Sequence, residues 1–239
     1  MKTMPKITLI GHSTVLIEMA GARILTDPWF NHWGNVFYQR LARPAQPAEM
    51  LRDVDLVLVS HDHWDHQDPE YLHSLTARTA VVVPKILKPI FSLERISRLV
   101  GLAPWECQHF GPIQVTAVPA IHSPGAGGYV FQAGRTTIYF SGDTFYGKFL
   151  EDIGARFNIT AALIPVTTYR IPMTINMDGA LKATQAIHPE IVFPVHLGIT
   201  PRLPAMRTRD NVEGYCQKII NAGLNTKVIM LHEGESADL

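Results

Sequence analysis

The residues from His61 to His66 read His-Asp-His-Trp-Asp-His, and they begin where an apolar run, Asp55 to Ser60, ends. That run (DLVLVS) has the pattern of a strand covered on both faces. Histidine and carboxylate groups are good ligands for divalent transition metals. His61 and His63 share a face as the strand runs out, because alternate residues point the same way. Asp65 and His66 lie on the turn beyond and reach a second point a few ångströms away. One short loop therefore offers two pairs of ligands, an arrangement suited to two neighbouring metals. Burying polar groups costs free energy unless they are paired, so packing alone gives no reason to gather these residues behind an apolar strand.

The rest of the chain must build a frame for that loop. Lys6 to Ile10, Val15 to Met19 and Arg23 to Thr26 read as three successive strands. Asp27-Pro28 ends the third, since proline lacks a ladder donor and restrains its predecessor. Trp29 to Pro47 has no clear period and reads as a long loop. A short helix is expected from Asp68 to Leu75, with Asp68 as N-cap and Pro69 first inside. Ala80 to Val83 reads as a buried strand and Lys85 to Leu99 as a helical stretch. Gln114 to Pro119 is a strand. Gly128 to Gln132 and Thr136 to Phe140 pair as a hairpin across Ala133, Gly134 and Arg135. Ala161 to Pro165, Ile191 to Val195 and Thr226 to Leu231 are further strands. Helices are expected over Met177 to Ile187, capped by Asn176 or Asp178, and over Asn211 to Ala222, closed by Gly223. Early strands and hairpins followed by regular helices point to packed sheets covered by helices, not to a strictly alternating parallel sheet.

Composition narrows the function. The 239 residues fit one large domain or two small ones, and no linker, repeat or low-complexity tract divides them, so a single domain over 1–239 is expected. Lys plus Arg and Asp plus Glu are each 21, giving a formal net charge of zero. That balance weighs against a nucleic-acid partner, whose phosphates call for a basic surplus. Cys107 and Cys216 stand far apart, which argues against a disulfide scaffold and fits a reducing compartment. Gly11, His12 and Glu18 break any signal-peptide core, and no apolar run is long enough to span a membrane. A cytoplasmic protein is the expectation. Oligomeric state leaves no readable signature, so a homo-oligomer stays open.

Three more ligand candidates each follow an apolar strand: His122 in His-Ser-Pro-Gly, Asp143 in Ser-Gly-Asp-Thr, and His196 in Pro-Val-His. Strand ends converge on one rim of a sheet, where such sites assemble. The ordered set, from the His61–His66 motif through a later His and Gly-Asp-Thr to a late His, resembles the metallo-β-lactamase superfamily over essentially the whole chain, Ile7 to Leu231. The resemblance implies an α/β fold: a four-layer αββα sandwich of two mixed sheets flanked by helices, with the site at one edge. It assigns His61, His63 and His122 to one metal and Asp65, His66 and His196 to another, with Asp143 bridging. Gly11-His12-Ser13-Thr14, Leu25-Thr26-Asp27-Pro28, Gly127-Gly128-Tyr129-Val130 and Pro194-Val195-His196-Leu197-Gly198 look like the subgroup of ascorbate-6-phosphate lactonases and N-acylphosphatidylethanolamine phospholipase D. Those segments place the subgroup without naming a substrate.

Hydroxide held between two divalent ions is a nucleophile at neutral pH, because the metals lower the pKa of water toward ~7 and polarise the electrophile. No G-x-S-x-G elbow is present, and none is required. The expected activity is hydrolysis of an ester-type bond, lactone or phosphodiester, in a small anionic substrate, with phosphorylated compounds among the options. Zn2+ is the first expectation for the two ions, with Mn2+ and Fe2+ as alternatives. Asp65 is a ligand whose second oxygen can shuttle a proton, and His12 is the other catalytic candidate. Asp27 is placed to accept the second N–H of a metal-bound histidine. Tyr169 and Arg170, and further on Arg202, Arg207 and Arg209, are candidates to contact an anion, although a solvated role suits the arginines better. His32 and Trp33 are candidates for a lid. Rival readings are a mono-iron thiol dioxygenase, a nuclease of the same fold and a non-catalytic metal-binding protein. His63 stands where redox di-iron relatives carry glutamate, which favours hydrolysis.

Overall fold

The computed structural model describes residues 4–167, 169, 170, 172–207 and 212–239. Two seven-stranded sheets face each other. The first is built from β1 (Lys6–Gly11), β2 (Thr14–Met19), β3 (Ala22–Thr26), β5 (Leu56–Leu58), β6 (Ala80–Pro84), β7 (Leu99–Leu102) and β16 (Ser236–Asp238), in the order β16-β1-β2-β3-β5-β6-β7. The second contains β8 (Cys107–Phe110), β9 (Ile113–Pro119), β10 (Gly127–Ala133), β11 (Thr136–Phe140), β12 (Ala161–Pro165), β13 (Ile191–Val195) and β15 (Lys227–Val228), in the order β15-β13-β12-β11-β10-β9-β8. Both are mixed: β16-β1-β2-β3 and β8-β9-β10-β11 run antiparallel, and the remaining pairs are parallel.

Side-chain alternation explains the layers. In β5 and β6, Leu56, Leu58, Ala80 and Val82 point into the core between the sheets, where they meet Tyr129, Phe131, Phe140 and Leu163. Their neighbours Val57, Val59, Val81 and Val83 point the other way, onto Tyr71, Leu72 and Phe91. Tyr71 and Leu72 belong to α1 (Pro69–Ser74), and Phe91 to α2 (Lys88–Phe91). On the second sheet, Ala162 and Ile164 turn outward onto α3 (Phe149–Arg156), α4 (Met177–Ile187) and α5 (Val212–Asn221). A strand buried on both faces loses its period-2 signal, which is why these runs read as continuously apolar. The result is the helix–sheet–sheet–helix sandwich expected from the resemblance.

Cap chemistry sets the helix starts. Asp68 accepts from the Tyr71 N–H at the head of α1, and Asn176, the first of the two expected caps, accepts from the Gly179 N–H at the head of α4. For α5, Asn211 lies outside the described residues, and the helix is described from Val212.

Several expectations need correction. The stretch from Lys85 to Leu99 is three short turns, Lys85–Leu87, Lys88–Phe91 and Ser92–Glu94, and Leu99 opens β7. Pro89 cannot donate a helical N–H, and Arg95 at φ +53° reverses the chain. Ala133 pairs with Thr136, so the hairpin turn is the two residues Gly134 and Arg135. The loop after Trp29 contains β4 (Tyr38–Arg40), which pairs with β14 (Ile199–Pro201) as a separate two-stranded ribbon. The edge strands β7 and β8 and the helix α3 carry weak sequence signals. Three of the four residues of β8 are exposed. In α3, Gly154 breaks the helical pattern because a Cβ there would lie 2.1 Å from the Ala186 carbonyl oxygen of α4.

Candidate metal centre

The site collects where strands end. His12 follows β1, Asp27 follows β3, and His61 to His66 follow β5. His122, Asp143 and His196 follow β9, β11 and β13. All seven residues expected as ligands come together with His12 and Asp27. His61, His63 and His122 offer ligand atoms that lie within 4.8 Å of one another, and so do His12, Asp65, His66 and His196. Asp143 stands between the two groups: its Oδ2 is 3.7 Å from His122 Nε2, 3.4 Å from His66 Nε2 and 3.1 Å from His196 Nε2.

The two clusters have different surroundings. His61 is fully buried, but His63 and His122 are partly exposed, with His63 Nδ1 and His122 Nε2 facing each other at 3.1 Å. Two nitrogens bound tetrahedrally at zinc–nitrogen distances stand about 3.3 Å apart, so this spacing suits one ion. Asp65, His66, His196 and His12 are all buried.

Hydrogen bonds behind the rings fix which atoms face forward. The Ser60 N–H and Oγ–H donate to Asp27 Oδ1 and Oδ2 at 2.7 and 2.6 Å. With its hydrogen spent on Asp27, Ser60 Oγ accepts from His61 Nδ1 at 2.8 Å. His66 Nδ1 donates directly to Asp27 Oδ2 at 2.5 Å. One buried carboxylate thus orients both rings and leaves their Nε2 atoms forward, the support expected of Asp27. Ser60 had no signal of its own in the sequence beyond its place as the last residue of the strand.

Electrostatics point to cations. The carboxylates of Asp27, Asp65 and Asp143 are buried together, and buried charges need partners or metal ions. Burial raises the Asp27 carboxyl. Burial also works against charge on Asp65 and Asp143, yet the surrounding histidines, His66 and His196 among them, hold both below the usual carboxylate range. Burial disfavours a charged His66, but Asp143, Asp27 and Asp65 lift it well above the imidazole range. His61 is pushed well down by burial and the nearby His66, and His12 is lowered to about 3, chiefly by burial. His61 Nε2, His66 Nε2 and Asp143 Oδ1 are buried without a hydrogen-bond partner. A donor set this rich in unpartnered nitrogen and carboxylate oxygen fits divalent ions.

The supporting turns are strained and tightly wired. His12, Asp27 and His196 have φ of +58°, +31° and +64°, a region costing non-glycine residues of order 1–3 kcal/mol each. Thr14 Oγ1 donates to the Asp27 carbonyl at 2.7 Å and accepts from the Trp29 N–H at 3.0 Å. The His196 N–H donates to the His12 carbonyl at 3.1 Å. The Gly11–Thr14 and Thr26–Trp29 segments, distant from the metal motif in sequence, therefore form its back wall.

The remaining candidates are less central. The Tyr169 hydroxyl donates to the Ile199 carbonyl at 2.7 Å. Its proton is engaged, so Tyr169 ties loops together and is not free to donate to an anion. Arg170 is exposed, and its backbone N–H goes to the Met206 carbonyl. Arg202 and Arg207 donate Nε to the Asn35 and Pro201 carbonyls, bracing the β4–β14 ribbon; Arg209 lies outside the described residues. His32 and Trp33 are exposed and line a neighbouring cleft with Trp64. Arg40, unremarked in the sequence, lies 3.8 Å over the Trp29 ring and donates to the Trp29 and Asn31 carbonyls.

Fold, strand-end cluster and ligand order together define the class: the chain belongs to the metallo-β-lactamase superfamily, and the model of its Beta-lactamase superfamily domain matches residues 22–197. Similar proteins include a UPF0173 metal-dependent hydrolase of Nanoarchaeum equitans, 30% identical over 253 residues and covering 98% of this chain and 100% of that one. A UPF0173 metal-dependent hydrolase of Pyrococcus furiosus is 28% identical over 251 residues, covering 99% and 100%. In fold, the chain is similar to Igni18, a metallo hydrolase from Ignicoccus hospitalis, with a TM-score of 0.80, 23% identity and 99% of each chain covered. The protein is a metal-dependent hydrolase of this fold. Among the described residues no helix is long and apolar enough to cross a membrane.

Proposed function

We propose that the protein is a binuclear hydrolase of a small anionic ester, lactone or phosphodiester. In this reading His61, His63 and His122 hold one divalent ion, Asp65, His66 and His196 hold a second, and Asp143 reaches both. The observation that carries it is the pair of clusters with Asp143 Oδ2 between them, within 3.1–3.7 Å of His196, His66 and His122. When bound, two divalent ions supply a nucleophile from water near neutral pH and polarise the electrophile.

The chain's own residues do the rest. Asp27 and Ser60 hold the His61 and His66 rings so that Nε2 faces the ion in each. Asp65 Oδ2 lies 3.4 Å from His12 Nε2 and 3.9 Å from His196 Nε2, so it is the oxygen that faces the inner cluster, and the other carboxylate oxygen is the one left to pass a proton to a leaving group. The partly exposed His63 and His122 mark the side from which substrate enters. Beside His196 a small cleft of about 180 Å³ is lined by Leu41, Tyr169, Ile199 and Arg207, so an apolar wall and a guanidinium flank the approach. Zinc suits the His-rich outer set, and Mn2+ or Fe2+ suit the carboxylate-bearing inner set. The whole chain, 1–239, acts as one hydrolase domain, at work in the cytoplasm.

The test is metal content per chain on protein purified without chelator, read beside hydrolysis of a lactone panel and of bis(p-nitrophenyl) phosphate. Two metals with turnover are expected, and the faster ester selects between lactonase and phosphodiesterase. A single iron with thiol-dependent oxygen uptake overturns the proposal.

A further inference from the structure

His12 faces the same space as Asp65, His66 and His196 and is 2% exposed. Proximity alone would make it a fourth ligand of the inner cluster. Its other ring nitrogen argues otherwise. The Gly198 N–H donates to His12 Nδ1 at 3.1 Å. An imidazole nitrogen that accepts carries no proton, so in the neutral ring the hydrogen sits on Nε2. A ligating Nε2 would need its lone pair free and the hydrogen on Nδ1, which would set two donors against each other at Gly198. The contact is built into the fold: a Cβ on Gly198 would lie 2.8 Å from His12 Cβ and 3.0 Å from its Cα and N. The His196 N–H closes the same turn onto the His12 carbonyl, and both histidines hold positive φ to do so. Trp29, edge-on at 5.3 Å, and His196, at 4.1 Å between centroids, wedge the ring from two sides.

The forward Nε2–H is therefore fixed in direction and has no hydrogen-bond partner. The nearest acceptor, Asp65 Oδ2 at 3.4 Å, is too distant and poorly aligned to satisfy it. A buried donor left unpaired costs about 1–3 kcal/mol, a cost that a donor waiting for a bound oxygen recovers. Resting on the two-metal reading above, we infer that His12 stays outside the coordination sphere and gives its Nε2–H to a carbonyl or phosphoryl oxygen of the bound ester. This is catalysis by a preorganised donor, whose removal typically costs 10²–10³ in kcat.

The deciding measurement is long-range proton–nitrogen NMR of the zinc-loaded full chain, with the His12 signals assigned by their absence in His12→Gln. The expected spectrum shows Nε2 protonated and Nδ1 bare. Nε2 bare and Nδ1 protonated with zinc bound overturns the inference and makes His12 a ligand. Metal content and kinetics give an independent reading. His12→Phe is expected to keep the wild-type number of metals and to lose about 10²–10³-fold in kcat with little change in KM. His12→Gln, which retains a side-chain N–H, is expected to recover part of that loss. A metal lost from His12→Phe, or equal losses in the two variants, overturns the inference. Assays use bis(p-nitrophenyl) phosphate or the fastest lactone of the panel. If the wild-type chain binds fewer than two metals, the two-metal reading fails by itself. The tautomer is then read in the metal-free protein, where Gly198 still dictates Nε2–H and a Nδ1–H ring overturns the donor.

Discussion

The outer cluster, His61, His63 and His122, and the inner one, Asp65, His66 and His196, differ in how much of the protein stands behind them. Two of the three outer rings are partly exposed, whereas every inner residue is buried. The inner cluster is braced by Asp27 at His66, and by the β1–β2 turn through His12 and His196. Among the described residues, the hydrogen bond behind an outer ring is the one from His61 to Ser60. The contrast teaches a division of labour. The inner residues are packed in a low-dielectric wall, where their electrostatics are strong, while two of the outer rings reach the surface.

That comparison can be broken or sharpened by substitution. The largest effect is expected from Asp143→Ala, because Asp143 touches both groups: metal analysis should find neither site filled and turnover reduced to background. Retention of one tightly held ion would mean that the clusters are independent. His63→Ala should empty the outer site alone, leaving one metal per chain. In chelator-treated protein it should shift unfolding stability by no more than about 0.5 kcal/mol by denaturant titration, because the ring is partly exposed. A large stability loss would assign His63 to the core instead.

Asp27→Asn should lower metal affinity by about 10–100-fold, read by chelator competition, and more at the inner site, where it supports His66 directly. An equal loss at both sites would show that the Ser60 relay to His61 matters as much as the direct bond. Ser60→Ala is the gentlest of the four. It leaves the His61 Nδ1–H without its acceptor, and a loss of about 10-fold at the outer site, with the inner site spared, is expected.

Much of this was readable before any coordinates. The metal motif is contiguous because one strand end and its turn carry four of the proposed ligands. The long central strands announce themselves through apolar runs, and Asp68 and Asn176 mark helix starts. What escaped the sequence did so for physical reasons. The edge strands β7 and β8 bury little, so they carry little pattern. The β4–β14 ribbon pairs segments about 160 residues apart and has no local signature. Tyr169 looked available to an anion until Ile199 was found to hold its proton.

By itself the sequence determined the candidate ligand types, their order along the chain and the apolar strands that deliver them, since these depend on residue chemistry and on local period. Only the tertiary structure decided which groups share a site and which ring nitrogen faces forward. Those answers rest on contacts between distant segments: Asp27 to His66, Ser60 between Asp27 and His61, and Gly198 against His12. A histidine has two nitrogens and one spelling, and the hydrogen bond that chooses between them comes from a residue that, for His12, lies 186 positions away.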